Sequence, residues 1–125
     1  MATILIIDDE NYITRMLIRR LGRVGHTVET ADNGQAGVEK ALNLKPDLIL
    51  LDMHMPVMDG YTAARTLRSK GYAGFICAFT ASAMVEHTNK SLDAGCDAFI
   101  SKPIENDFET KIEAILTKRE LPKNK

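Results

Sequence analysis

The chain has 125 residues and a formal net charge of −1, with 26% charged and 45% hydrophobic residues. This length suits one domain whose core can form without disulfides or a structural metal. The near-neutral charge argues against direct nucleic-acid binding, which needs a basic excess. The sequence has no signal-peptide pattern and no apolar run long enough to insert into a membrane. We therefore predict a cytoplasmic protein, or a cytoplasmic piece of a larger one.

Short apolar runs alternate five times with longer segments that have apolar residues every three to four positions. The runs predict strands and the longer segments predict helices. The predicted strands are Ile4–Ile7, Thr27–Ala31, Leu48–Leu51, Phe75–Phe79 and Ala98–Ile100. The predicted helices cover Ile13–Val24, Gln35–Asn43, Tyr61–Leu67, Met84–Asp93 and Phe108–Leu116.

This alternation predicts an α/β domain with a parallel sheet and helices on both faces. The runs Ile4–Ile7 and Leu48–Leu51 are apolar throughout, which is typical of central strands buried on both faces. We place the domain at residues 1–119 and interpret 120–125 as a tail or the start of a linker. Cys77 and Cys96 form no CxxC pair, so we expect reduced, buried thiols. His26 is expected at the surface.

Polar residues follow four of the predicted strands. Asp8 and Asp9 follow the first strand, Asp52 the third, Thr80 the fourth and Lys102 the fifth. In an open α/β sheet, ligands bind outside the carboxyl ends of the strands, so these residues should share one edge. A single Asp, Thr or Lys at such a position is usually a cap or a solvated side chain. Five of them at one edge indicate a functional site.

The three carboxylates would repel one another unless a cation neutralised them. Oxygen ligands without a Cys or His cluster favour Mg²⁺, with Mn²⁺ as an alternative. With the charge neutralised, Asp52 could attack phosphorus as a nucleophile. Lys102 and Thr80 would then offer a point charge and a hydroxyl donor to the phosphate oxygens.

With these residues in this order, the sequence resembles the receiver domains of response regulators and hybrid histidine kinases. The resemblance covers about residues 3 to 118. The matching segments are Ile6–Glu10, Asp47–Gly60, Phe79–Ala81 and Asp97–Pro103, which hold the acid pair, the Asp-x-x-x-Pro-x-x-Asp-Gly stretch and the Lys-Pro pair. The resemblance implies a flavodoxin-like, doubly wound (βα)5 fold with strand order 2-1-3-4-5.

The resemblance also implies a role for each site residue. Asp52 would be phosphorylated, and Asp9 and Asp52 would ligate Mg²⁺ together with the backbone carbonyl of His54. Asp8 would hold the metal through water, and Lys102 would contact the phosphoryl group. The resemblance further implies a conformational switch, in which Thr80 would follow the phosphoryl group and Phe99 would be the coupled aromatic residue. It also implies that the Lys102–Pro103 peptide is cis.

The function implied is that of a phosphoacceptor module in a two-component phosphorelay, without turnover of a separate substrate. Its donor would be a sensor histidine kinase or a histidine phosphotransfer protein, and its output would be a downstream protein target. The family also allows a weak homodimer. The sequence leaves open whether the chain is a free-standing regulator or the receiver of a hybrid kinase.

Three other classes are less consistent with the residues. A phosphotransferase of the haloacid-dehalogenase type needs an Asp two residues after its nucleophile, where this chain has Glu10 after Asp8 and His54 after Asp52. A nucleotide-binding module would need a glycine-rich phosphate loop, which is missing. A degenerate receiver used as a scaffold would not need the full set of polar residues at the strand ends.

Overall fold

A computed structural model describes residues 2–55, 57–80, 85–101 and 106–120, without the side chains at 80, 85–88 and 118–120. Strands and helices alternate along these residues. They are β1 (Thr3–Ile7), α1 (Asn11–Arg23), β2 (Thr27–Ala31), α2 (Gly34–Leu44), β3 (Leu48–Leu51), α3 (Gly60–Ser69), β4 (Phe75–Thr80), α4 (Val85–Ala94), β5 (Ala98–Ser101) and α5 (Phe108–Glu120). Within the described part of the chain, no helix is both long and apolar enough to cross a membrane.

The five strands form one parallel sheet in the order β2-β1-β3-β4-β5. This confirms the doubly wound fold and the strand order that the sequence implied. The register aligns Ile7 with Leu51, and Leu51 with Ala78. The three central strands therefore reach the carboxyl edge of the sheet at nearly the same level, and the residues that follow them become neighbours.

Each face of the sheet carries its own hydrophobic core. Alternate residues of β1 and β3 point to opposite faces, and because helices cover both faces every residue of these strands except Thr3 is buried. Ile4, Ile6, Leu48 and Leu50 pack with α1 and α5, while Leu5, Ile7, Ile49 and Leu51 pack with α2 and α3. Each of these side chains contributes roughly 1.5–3 kcal/mol by burial, which makes β1 and β3 a rigid base for the residues at their ends.

Helix α1 ends earlier than its apolar pattern predicted. The helix stops at Arg23, Val24 is its C-cap and is 50% exposed, and Gly25 has φ 99°. A left-handed residue reverses the chain at little cost only where there is no side chain, so Gly25 sets the stop. Val24 therefore does not belong to the buried face, which ends at Leu21.

The expectation that His26 lies at the surface was wrong. His26 is buried, its Nδ1 accepts the Ala2 N–H at 3.1 Å, and its Nε2 lies 2.6 Å from Glu113 Oε2. The imidazole thus satisfies both ring nitrogens while joining the start of β1 to α5. No short-range pattern marks this role, because both partners are distant in sequence.

The prediction of buried, reduced cysteines is confirmed. Cys77 lies in β4 and Cys96 just before β5, and both are free and buried. Burial disfavours the thiolate and raises the pKa of both groups, to about 12 for Cys96, where the nearby carboxylate of Asp97 adds to the effect. These thiols are therefore core side chains rather than reactive groups.

Candidate functional site

Asp8 and Asp52 are placed by the two central strands. The Asp52 N–H donates to the Ile7 carbonyl at 2.9 Å, and the Asp8 N–H donates to the Ala31 carbonyl at 3.1 Å. These bonds continue the sheet ladders by one residue beyond the strands. Both aspartates are thereby held by backbone before their side chains make any contact.

Three carboxylates converge at this edge. Asp8, Asp9 and Asp52 each offer an oxygen, and these oxygens lie within 4.8 Å of one another. Asp8 and Asp52 are buried, whereas Asp9 is exposed. Asp8 Oδ1 accepts the Glu10 N–H at 2.9 Å, and Asp52 Oδ1 accepts the His54 N–H at 3.2 Å. The loops after β1 and β3 thus fix the orientation of the two buried acids.

The spacing of these oxygens suits a divalent cation. Oxygens on one octahedral Mg²⁺ lie about 3 Å or about 4 Å apart, given Mg–O distances of about 2.1 Å. Small side-chain rotations would bring the present set into that range. Two unit negative charges 4.8 Å apart, the upper limit for these oxygens, repel by about 3.5 kcal/mol at an effective dielectric constant near 20. The residues therefore fit the predicted metal, and their mutual repulsion favours its binding.

The loop between β3 and α3 is packed tightly against this site. A Cβ on Gly60 would collide with the Asp52 carbonyl oxygen, so a glycine is required there. Asp59 caps α3 by accepting the Thr62 N–H at 2.9 Å. Val57 is 94% exposed and has φ 72°, a strained conformation for a β-branched residue. The sequence marked the Asp-Gly pair, but it gave no sign of the strain at Val57.

The residues predicted to contact the phosphoryl group are described only in part. Thr80 ends β4 and is aligned with Ser101, the residue before Lys102. Lys102, Pro103 and their peptide bond lie outside the described residues, as does the side chain of Thr80. Phe99 is half-buried beside Ala78 and packs against the core on the α2–α3 face.

An aromatic contact beside Asp52 was missed by the sequence analysis. The exposed ring of His54 meets the ring of Tyr61 edge to face, with 6.1 Å between centroids. Lys90 Nζ of α4 lies 4.4 Å from the Tyr61 ring centroid. Tyr61 is buried, and its hydroxyl has no hydrogen-bond partner within the described part of the chain. Contacts between loop, α3 and α4 depend on tertiary structure, so sequence spacing could not reveal them.

Comparisons with known proteins point to one family. The family model for the response regulator receiver domain matches residues 4–115. The chain is 40% identical over 109 residues to hybrid signal transduction histidine kinase G of Dictyostelium discoideum, covering 82% of this chain and 3% of that protein. It is 31% identical over 117 residues to transcriptional regulatory protein PrrA of Mycobacterium leprae, covering 93% of this chain and 50% of that protein.

The fold has close counterparts among solved structures. A CheY-like response regulator receiver domain from Methanospirillum hungatei superposes with a TM-score of 0.88 at 30% identity, covering 96% of this chain and 97% of that one. The curated relatives are longer, and the chain spans about half of PrrA and a small part of the hybrid kinase. A family match over most of the length, a shared fold and three acids at the strand ends lead to one assignment: this chain belongs to the response regulator receiver domain family.

Proposed function

We propose that the chain accepts a phosphoryl group on Asp52 from a phosphohistidine donor, in a Mg²⁺-dependent reaction. The observation that carries this proposal is the position of the Asp52 carboxylate, which is buried at a strand end within 4.8 Å of two other acids. Family membership supports it, because receiver domains work with histidine kinases and downstream targets in two-component systems.

In this phosphoryl transfer, the main task of the protein is to position the reacting groups. A carboxylate oxygen of Asp52 attacks phosphorus while the N–P bond of the phosphohistidine breaks. The electron pair of that bond returns to the imidazole, which takes up a proton. The product is an acyl phosphate on Asp52. The His54 N–H donates to Asp52 Oδ1 at 3.2 Å and so helps to orient the carboxylate for this attack.

Asp9, Asp52 and the His54 backbone carbonyl would ligate the metal directly, and Asp8 would do so through water. When bound, Mg²⁺ offsets the negative charge of the carboxylates and of the phosphoryl oxygens. The buried position of Asp8 and the exposure of Asp9 are compatible with this division. Mn²⁺ meets the same requirements.

The remaining roles follow from the sheet. Thr80, at the end of β4, and Lys102, which follows β5 in the sequence, would contact the phosphoryl oxygens. Movement of Thr80 toward that group would free space for Phe99, which lies half-buried on the next strand. The surface of α4, β5 and α5 would then change for a downstream protein target. The cis Lys102–Pro103 peptide stays a prediction, as do the cytoplasmic location and the domain limit at residue 119.

A labelling experiment tests the phosphoacceptor. The purified chain is incubated with phosphoramidate, with and without Mg²⁺, and mapped by mass spectrometry. One acid-stable, base-labile phosphate is expected on Asp52, dependent on Mg²⁺ and absent in Asp52→Asn. Asp93→Asn, which changes an exposed acid on α4, is the matched control and should be labelled normally. Labelling that persists in Asp52→Asn, or after chelation of the metal, would disprove the assignment.

A further inference from the structure

A cleft of about 560 Å³ opens at the amino ends of β3 and β4, at the opposite end of the sheet from Asp52. One wall is the turn between α2 and β3, and the other is the turn between α3 and β4. The lining residues are Leu42, Lys45, Pro46, Lys70, Gly71, Tyr72, Ala73 and Gly74. Clefts of this size are typical of small-molecule sites. The proposed phosphoryl transfer makes no use of this cleft.

Hydrogen bonds hold the two walls of the cleft together. Tyr72 is buried, and its hydroxyl donates to the Pro46 carbonyl at 3.1 Å, which joins one turn to the other. Arg68 donates to the carbonyls of Tyr72 at 2.9 Å and of Gly74 at 2.8 Å. A Cβ on Gly74 would collide with the Tyr72 hydroxyl, so a side chain there would disturb this contact. The cleft is therefore formed in advance, as most small-molecule sites are.

The charged residues that line the cleft are both cationic. Lys45 is the C-cap of α2 and Lys70 the C-cap of α3, and both are exposed. Neither forms an ion pair with any residue that the structure describes. Asp47 follows Pro46 in the sequence, but its carboxylate accepts the Thr3 N–H and does not line the cleft. Lysine at a helix end also offsets the helix dipole. That effect explains each lysine alone, but not a cleft without acids in a chain whose net charge is −1.

Lys45 also has an unfavourable backbone conformation. Its φ is 52° and its ψ is 60°, in the left-handed region that favours glycine. The ends of α1, α3 and α4 use glycine for the corresponding reversal, at Gly25, Gly71 and Gly95. Helix α2 has a lysine in its place. A strained residue that is not glycine is a sign of function, and here the strain occurs at a charged side chain of the cleft.

We propose that this cleft binds a small organic acid, with a carboxylate attached to an apolar body. The two lysine ammonium groups attract the carboxylate, and Leu42, Pro46 and Tyr72 supply an apolar floor for the rest of the molecule. A neutral molecule would gain nothing from the lysines, and a bare inorganic anion would gain nothing from the floor. The proposal does not depend on the phosphorylation of Asp52.

The first test compares three probes on the full chain. 3-Phenylpropionate, its neutral analogue 3-phenylpropionamide and inorganic phosphate are each titrated into the isotope-labelled protein, and backbone amide shifts are followed by NMR. 3-Phenylpropionate should give saturable shifts at Gly71, Ala73 and Gly74, with a dissociation constant of about 1 mM or less. The amide and phosphate should each bind at least about 5-fold more weakly. If the acid does not bind, or if either of the other probes binds as tightly, the proposal is wrong.

The second test uses variants of exposed residues. Lys45→Gln combined with Lys70→Gln should weaken the binding of 3-phenylpropionate by about 5-fold or more. Arg15→Gln combined with Arg19→Gln, which removes two exposed cations from α1, is the matched control and should bind like the unmodified chain. Ala73→Met places a larger side chain in the cleft and should abolish binding, while thermal unfolding confirms that the variant is folded. Equal affinities of the two double variants, or undiminished binding by folded Ala73→Met, would overturn the proposal.

Discussion

The two edges of the sheet use the same residue type in opposite ways. At the amino edge, Asp47 precedes β3 and accepts the Thr3 N–H at 2.8 Å, and Asp97 precedes β5 and accepts the Ile76 N–H at 2.9 Å. Each acid there accepts an N–H at or near the start of a neighbouring strand. At the carboxyl edge, Asp8 and Asp52 accept N–H groups of their own loops and lie close to each other and to Asp9.

Charges at the amino edge are also paired. Arg68 donates to Asp97 at 2.8 Å and to three backbone carbonyls, those of Tyr72, Gly74 and Gly95. The carboxyl edge has like charges in proximity and the strained backbone of Val57. Pairing with Arg68 thus marks Asp97 as an acid that stabilises the fold. Three acids close together reduce stability by their repulsion, and such a cluster indicates a functional site.

The largest expected change in the free energy of unfolding is at the amino edge. Arg68→Ala removes four hydrogen bonds and leaves the Asp97 carboxylate without its cation, so the free energy of unfolding should fall by about 3 kcal/mol. Urea denaturation measures this. Arg65→Ala, on an exposed position of the same helix, should change it by less than about 0.5 kcal/mol. Equal effects of the two variants would contradict the role given to Arg68.

At the carboxyl edge, a substitution is expected to raise the free energy of unfolding instead of lowering it. Asp52→Asn removes one negative charge while its amide oxygen can still accept the His54 N–H, so without Mg²⁺ the chain should gain about 1 to 2 kcal/mol. Adding Mg²⁺ at ten times its dissociation constant should stabilise the unmodified chain by about 1.4 kcal/mol. It should stabilise the variant much less. Denaturation of both chains with and without Mg²⁺ measures these two effects. If Asp52→Asn were less stable than the unmodified chain without Mg²⁺, repulsion between the carboxylates would not dominate the stability of this edge.

A smaller, pH-dependent effect is expected where α1 meets α5. The hydrogen bonds from Arg20 hold the pKa of Glu109 below its ordinary value. A lowered folded-state pKa contributes stability above the unfolded pKa, and that stability is lost as the pH falls through the folded value. Glu109→Gln should therefore cost about 1 kcal/mol at neutral pH and nothing in strong acid. The free energies of unfolding of the two chains, measured by denaturation from neutral pH to strong acid, should converge as the pH falls. A difference that stays constant with pH would contradict this prediction.

The smallest effect concerns the strain at the carboxyl edge. Val57→Gly removes the cost of φ 72° but increases the freedom of the unfolded chain, so a net gain of about 0.5 kcal/mol is expected. Val57→Ala keeps most of the backbone strain and should gain less than the glycine variant. Thermal unfolding of both variants measures the difference, and a loss of stability in Val57→Gly would mean that the loop is not strained.

Much of the fold could be predicted because its signals are local. The all-aliphatic runs of β1 and β3 predicted central strands, since only strands covered on both faces lack polar positions. Asp8, Asp9 and Asp52 could be placed at one edge because parallel strands share a direction. Helix ends were less predictable, as Val24 shows, because its spacing continues the apolar pattern although the helix has already ended at Arg23.

The sequence by itself determined the alternation of elements, the shared edge and the residue types that chemistry requires there. Only the tertiary structure decided which charges are neutralised. Asp97 and Asp52 are the same residue type, yet Asp97 is paired with Arg68 whereas Asp52 lies beside two other acids. The partners of His26, Arg20 and Arg68 lie between 4 and 89 residues away. Such pairings depend on packing in three dimensions, whereas periodicity and turn chemistry depend on neighbours along the chain.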